Sequence, residues 1–223
     1  MFQNERRVIA HEILDDVSLD EARASLQDLV RINRLLGGHE VLRGSMRELV
    51  RPDEHFSFLD IGAASGDMGA ALCQAYPGAQ VTSLDYRLNH LCSNRGSAIS
   101  ADAFQLPFNH GSFDFVHCSL FLHHFHDDDV VRLLRSFGQI ARRAVVLSDL
   151  ERHPIAYVAL PWTRWLFGWD PLTLHDGPIS VQAAFHSDEL LGLALKAGLD
   201  DAAVKVHRPA FRLSLVSSVT KPR

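Results

Sequence analysis

The segment FSFLDIGAASGDMG, residues 56–69, limits most strongly what this chain can become. An apolar run suited to a buried strand ends at Asp60. It gives way to a turn of small residues, Gly62, Ala63, Ala64, Ser65 and Gly66, and then to a helical pattern. Small residues in such a turn let the backbone approach a ligand closely. The free N–H groups and the dipole of the following helix face the same place. Asp60 sits where a second negative charge beside a pyrophosphate would be unfavourable. The turn therefore suits a ligand that carries positive charge, such as an ammonium or a sulfonium, better than it suits a dinucleotide. The glycine spacing also departs from the G-x-G-x-x-G of dinucleotide sites, which makes an oxidoreductase the weaker reading.

From residue 55 onward, short apolar runs alternate with helical stretches. FSFLDIG, AQVTSLD, SAISAD, SFDFVHCSL and AVVLSDL read as strands, and DMGAALCQAY, LNHLCSN and DDDVVRLLRSF as helices. Strand–helix alternation predicts parallel βαβ units with right-handed crossovers. A last helix, SDELLGLALKAG, with Ser187 as N-cap and Gly198 as its stop, precedes AAVKVH and AFRLSLVSSV. These last two have no helix between them and predict an antiparallel hairpin at the sheet edge. The expected fold is α/β, a doubly wound, mostly parallel sheet of seven strands. Before it, DEARASLQDLVRINRLLGG carries a helical apolar stripe that Ser18 or Asp20 caps and Gly37-Gly38 ends. A second helix is expected from His39 to Val50. The domain expectation is a helical cap over 1–52 and a core over 53–223. The core carries a helical, aromatic lid inserted after the fifth strand, at about 152–186. The cap helices are expected to fold over a bound ligand.

A chain of 223 residues buries a core of its own, with hydrophobic residues at 47% and charged ones at 22%. The net charge of −5 gives no basic footprint for nucleic acid. Cys73, Cys92 and Cys118 show no CxxC spacing, which argues against a zinc site or a disulfide framework and fits a reducing cytoplasm. The N-terminal MFQNERRVIAHEIL is charged and amphipathic, unlike a secretory leader. No run approaches a membrane span.

The motifs in order resemble the class I S-adenosylmethionine-dependent methyltransferases. Asp60-Ile61-Gly62-Ala63-Ala64-Ser65-Gly66 matches their first motif, with Ala64 in place of the middle glycine. VTSLD ends the second strand at Asp85, ISADAFQLPF carries the third element, and GSFDFVHCSLFLHHF the fourth. The resemblance implies S-adenosyl-L-methionine as cofactor, held by Asp60, Gly62, Ala64 and Gly66 at the turn. Asp85 would accept from the ribose hydroxyls, with Tyr86 beside it. Asp102 would accept from the adenine amino group, flanked by Ala103 and Phe104, and Ser119 would complete the site. Asp114 reads as structural, and His126 with Asp127, Asp128 and Asp129 as a solvated helix start rather than a metal site; no metal is expected.

Methyl transfer to a weakly acidic hydroxyl needs alignment and a base, and histidine is the usual base near neutral pH. His124, past the fourth strand's carboxyl end, and His175, a loop residue beside Asp176 in the insertion, are the candidates. Trp162, Trp165 and Trp169 would wall a flat, apolar acceptor. INRLLGG, HDGPIS, AAF and SDELLGLALKAGL are similar to bacterial small-molecule methyltransferases of type III polyketide pathways. That likeness implies O-methylation of a phenolic or polyketide-derived acceptor. Three readings stay open: a small-molecule enzyme, a nucleic-acid or protein methyltransferase of the same fold, and an S-adenosylmethionine-binding regulator without catalysis. A cytoplasmic location is expected, and a homodimer is an open alternative.

Overall fold

The computed structural model describes residues 5–15, 17–87, 91 and 96–219. The expected helix over LNHLCSN and the residue Cys92 lie outside the described residues. Seven strands, β1 (Phe56–Ile61), β2 (Ala79–Asp85), β3 (Ser97–Ser100), β4 (Phe113–Ser119), β5 (Ala141–Leu150), β6 (Ala203–His207) and β7 (Arg212–Ser218), form one sheet in the order β3-β2-β1-β4-β5-β7-β6. The first five run parallel, and β7 pairs antiparallel with both β5 and β6. The doubly wound sheet and the terminal hairpin are both as the sequence pattern implies.

Among the described residues seven α-helices flank the sheet: α1 (Leu19–Leu35), α2 (Gly38–Arg47), α3 (Asp67–Ala75), α4 (Asp127–Ile140), α5 (Pro154–Phe167), α6 (Pro171–Ala183) and α7 (Ser187–Lys196). Strand residues alternate between the two faces, as the pleat requires. Leu59, Val116, Val145 and Leu147 pack with Phe137 of α4 and Leu193 of α7. Phe58, Phe115 and Val146 pack with Leu42 and Met46 of α2 and Leu72 of α3. Of the two N-terminal helices, α2 thus belongs to a layer against the sheet, and α1 reaches over the sheet's carboxyl edge.

Three boundaries differ from the sequence reading. Helix α2 stops at Arg47 rather than Val50, because Glu48, Leu49 and Val50 turn back onto Ser45 and Met46 through their N–H groups. Helix α7 is capped by His186, one residue before Ser187, and Glu189 accepts from the His186 N–H at 2.8 Å. HDGPIS is not a loop but lies in α6, despite Gly177 and Pro178. The Asp170 side chain caps this helix by accepting from Leu172 N–H, and Pro171 occupies its first turn, where a missing N–H costs nothing.

The chain leaves β1 toward β2 and β3 on one side and returns to β4 on the other. At such a reversal the two connections diverge and leave a crevice at the carboxyl ends of the strands, where open α/β sheets bind ligands.

Candidate active site

A cavity of about 710 Å³ opens at that crevice. Its floor is the turn after β1. Gly62, Ala64 and Gly66 all have positive φ, at 66°, 45° and 73°. Ala63 N–H donates to Leu84 O (3.0 Å), and Gly66 N–H to Ala63 O (2.8 Å), which closes the bend before α3. A methyl group on Gly62 would sit 2.5 Å from the Phe121 ring, so only glycine fits there. Ala64 takes the left-handed conformation with a side chain, at a cost of roughly 1–2 kcal/mol. Among the described residues, the other non-glycine residues with positive φ are Leu120 and Phe211. They line the same cavity. Strain of this kind concentrates at ligand sites, where the surrounding structure over-determines the backbone.

Ala64→Gly should therefore stabilise the fold by about 0.5–1 kcal/mol, once the larger freedom of unfolded glycine offsets part of the relief. Calorimetry should show a melting temperature about 1–4 °C higher. A decrease would mean that the Ala64 methyl group is packed rather than strained.

Asp60, Asp85 and Asp102 all line the cavity. Asp60 is 1% exposed. Its Oδ1 meets His117 Nδ1 at 2.7 Å, while its Oδ2 has no hydrogen-bond partner. Asp85 Oδ2 accepts from Ala64 N–H and Oδ1 from Arg87 N–H, each at 2.9 Å, so this carboxylate ties the turn to the end of β2. Asp102 Oδ1 accepts from Phe104 N–H at 2.9 Å, fixing the Ala103–Phe104 backbone. Ser119 Oγ lies 2.9 Å from Ser148 Oγ. These residues and Tyr86, which is 77% exposed, line the cavity. Asp114 is structural, as expected: its Oδ2 accepts from both the N–H and the Oγ–H of Ser57.

The other walls are mostly apolar: Leu26, Leu29 and Ile32 of α1, Phe121 and Phe125 after β4, and Ala156 and Ala159 of α5. His124 lies among them, and its ring stacks on His123 at 4.4 Å. Beneath it is a charged cluster that the sequence pattern does not announce. His123 Nδ1 is 2.6 Å from Asp149 Oδ1, and its Nε2 is 3.8 Å from Glu12 Oε1. Glu12 also accepts from Ser180 Oγ–H. Burial disfavours the imidazolium, but the Asp149 and Glu12 carboxylates outweigh it and raise the His123 pKa to about 9. Burial likewise opposes the charge on Asp149, yet His123 and the nearby N–H donors hold its carboxyl below the ordinary value.

Two sequence expectations meet a different geometry. His175 does not line the cavity; its side chain is 52% exposed on α6, with Nδ1 2.8 Å from Asp176 Oδ1. In this helix the His175 ring lies toward solvent, and it is the buried Asp176 carboxylate, to which the ring is bonded, that faces inward. Its two oxygens accept from Ile13 and Leu14 N–H (3.1 and 3.0 Å), fastening the N-terminal segment. Nor do the tryptophans line the cavity. Trp162 and Trp165 are 82% and 84% exposed, on the outer face of α5. Trp169 is buried, donates from Nε1 to Thr163 Oγ1 (2.9 Å) and packs on Phe167. Helical phase decides this: Ala156, Ala159 and Thr163 take the inward strip of α5 and leave the indoles outside.

Residues 59–147 match the family model described as a methyltransferase domain. The chain carries a methyltransferase domain on a sheet of class I methyltransferase fold. Among solved structures, this methyltransferase is similar to the plantazolicin methyltransferase BpumL in complex with SAH. The identity is 13% and the TM-score 0.65, over 90% of this chain and 91% of that one. It is also similar to human N-acetylserotonin methyltransferase in complex with SAM, at 16% identity and a TM-score of 0.63, over 86% of this chain and 54% of that one. A protein of Nostoc punctiforme matches at 16% identity and a TM-score of 0.58 over 85% of this chain, which spans 59% of that protein's length. No curated protein matches the sequence. At these identities the structural likenesses speak for the fold; the residues themselves speak for the site.

The cavity of the methyltransferase fits S-adenosylmethionine on its own features. Asp60, Asp85 and Asp102 line it beside a turn of small residues, and the buried Asp60 Oδ2 has no hydrogen-bond partner. Among the described residues, no helix is long and apolar enough to cross a membrane.

Proposed function

We propose that this protein transfers the methyl group of S-adenosylmethionine to a hydroxyl of a small, largely apolar acceptor of aromatic or polyketide-derived type. One observation carries the reading: a single cavity is lined by the Asp60, Asp85 and Asp102 constellation and also by His124 with a mostly apolar wall. The turn from Asp60 to Gly66 would hold the methionyl end, Asp85 and Tyr86 the ribose, and Asp102 with the Ala103–Phe104 backbone the adenine, with Ser119 nearby. Bound there, S-adenosylmethionine supplies an electrophilic methyl group on a sulfonium.

The chain's own part is alignment, exclusion of water and proton removal. His123 is already protonated near neutral pH and its Nδ1 is committed to Asp149, so it is unsuited to accept a proton. His124, which lines the cavity, is the candidate base and would take the acceptor's hydroxyl proton. The division into a cap, 1–52, and a core, 53–223, with the insertion at about 152–186, serves this reading: α1, α5 and α6 all contribute to the cavity wall. The net charge of −5 and the apolar wall favour such an acceptor over nucleic acid.

The test combines calorimetry with S-adenosylmethionine and with NAD, and turnover with labelled cofactor over a panel of phenols, fatty acids, amines and tRNA. Binding of NAD alone, or labelling of tRNA alone, overturns the reading. His124→Ala should lower kcat by roughly 10²–10⁴-fold while leaving cofactor affinity unchanged. Undiminished turnover would remove His124 as the base and leave alignment as the whole of the catalysis.

A further inference from the structure

The outer face of α5 exposes apolar surface that none of the described residues covers. Ile155, Val158, Trp162, Trp165 and Leu166 are 56%, 49%, 82%, 84% and 77% exposed. At 100° per residue these five positions fall within one strip about 100° wide. Isolated exposed apolar residues are ordinary, whereas a continuous strip with two indoles marks a contact surface. The neighbouring strip of the same helix, Ala156, Ala159 and Thr163, lines the cavity.

Charge narrows the choice of partner. The chain carries 27 acidic residues, yet none lies between Arg152 and Trp169. The charged side chain within the exposed stretch of α5 is cationic. The Arg164 guanidinium lies 4.5 Å from the centre of the Trp165 ring. Arg31, which also pairs with Asp28, donates to Phe167 O at 2.6 Å, at the carboxyl end of the helix. Indole rings favour the boundary between headgroups and acyl chains, and guanidinium groups favour anionic headgroups. The 14 residues of α5 span only about 21 Å, short of a hydrocarbon core of about 30 Å, so the helix would lie in the plane of a membrane rather than cross it.

We propose that α5 docks this protein on the surface of an anionic lipid bilayer, with Trp162, Trp165 and Leu166 seated at the headgroup–acyl boundary. The docking stands apart from the methyl-transfer reading. Taken with it, docking places the cavity wall next to the lipid boundary, so the acceptor class narrows to lipophilic molecules that partition there.

Flotation of the full chain with vesicles tests the docking, using phosphatidylcholine with and without phosphatidylglycerol and following tryptophan emission. The expected result is flotation and a blue shift with the phosphatidylglycerol-containing vesicles. The double variant Trp162→Ala/Trp165→Ala should lose roughly tenfold or more in partitioning. Its circular dichroism and melting temperature should be unchanged, because both side chains are exposed. Absence of flotation with anionic vesicles, or equal flotation of the variant, overturns the proposal. So does a dimer in light scattering that the double variant turns into a monomer, since a second copy would then own the strip. Calorimetry with S-adenosylmethionine on the same variant keeps the two readings apart: retained binding with lost flotation bears on docking alone, and binding lost in the parent protein bears on methyl transfer alone.

Discussion

Asp149→Ala should lower the free energy of unfolding by about 3–5 kcal/mol, the range for removing one partner of a buried ion pair. In a chain of this size that is a fall of roughly 6–20 °C in melting temperature. The size follows from what the carboxylate holds. Oδ2 accepts from the Leu122 and His123 N–H groups, and Oδ1 accepts from Leu150 N–H and faces His123 Nδ1. The residue is 2% exposed, so no solvent replaces these bonds. Stability should also depend on pH with a definite sign. His123 has a folded pKa of about 9 against an ordinary 6.5, so its contribution is complete below 6.5 and is lost as pH rises through 9. Asp149 has its pKa lowered from an ordinary 3.8, so its contribution is complete above that value and is lost as the medium becomes more acid. The plateau lies between the two ordinary values. Denaturant titrations across this range should show the alkaline decline in the parent protein and a much flatter course in Asp149→Ala. A parent curve that stays level to pH 9 would show that His123 is neutral in the fold.

Asp85→Ala should weaken S-adenosylmethionine binding by at least about a hundredfold, from the loss of two charge-assisted hydrogen bonds to the ribose. A second effect has the same direction. Asp85 Oδ2 is the acceptor for Ala64 N–H, so its removal also releases the strained turn to which the proposal assigns the methionyl end. Combining Asp85→Ala with Ala64→Gly separates the two, because the glycine needs less restraint to hold a positive φ. Calorimetry reads both. An Asp85→Ala protein that binds within threefold of the parent would detach this carboxylate from the ribose.

The sheet was legible because its parallel strands are buried on both faces and read as short apolar runs punctuated by small residues. The turn at Asp60 was legible for the same reason that it works: glycine is needed where the backbone bends left-handed beside Phe121. The charged cluster beneath His124 was not. Glu12, His123 and Asp149 come from three distant parts of the chain, and no spacing in the sequence brings them together. The neighbouring histidines in LHH offered a partial signal, pointing to His124 at the cavity but not to its buried neighbour. His175 misled because Gly177-Pro178 looks like a loop, while the Asp170 cap and Pro171 keep the segment helical. The tryptophans misled because aromatic composition says nothing of phase: a shift of a single residue along α5 exchanges wall for surface.

The first described residues are tied down by polar contacts rather than by a core of their own. Arg7 donates to the carbonyls of Ala183, His123 and Phe125 and pairs with Asp127, and Val8 N–H bonds Gln182 O. Yet this stretch supplies Glu12 and Leu14 to the cavity wall. A segment held this way can detach at a small fraction of the cost of unfolding the sheet. Opening of the crevice can then proceed by release of this segment while the seven strands stay in register, and the same release takes Glu12 away from His123 and leaves Asp149 as its partner.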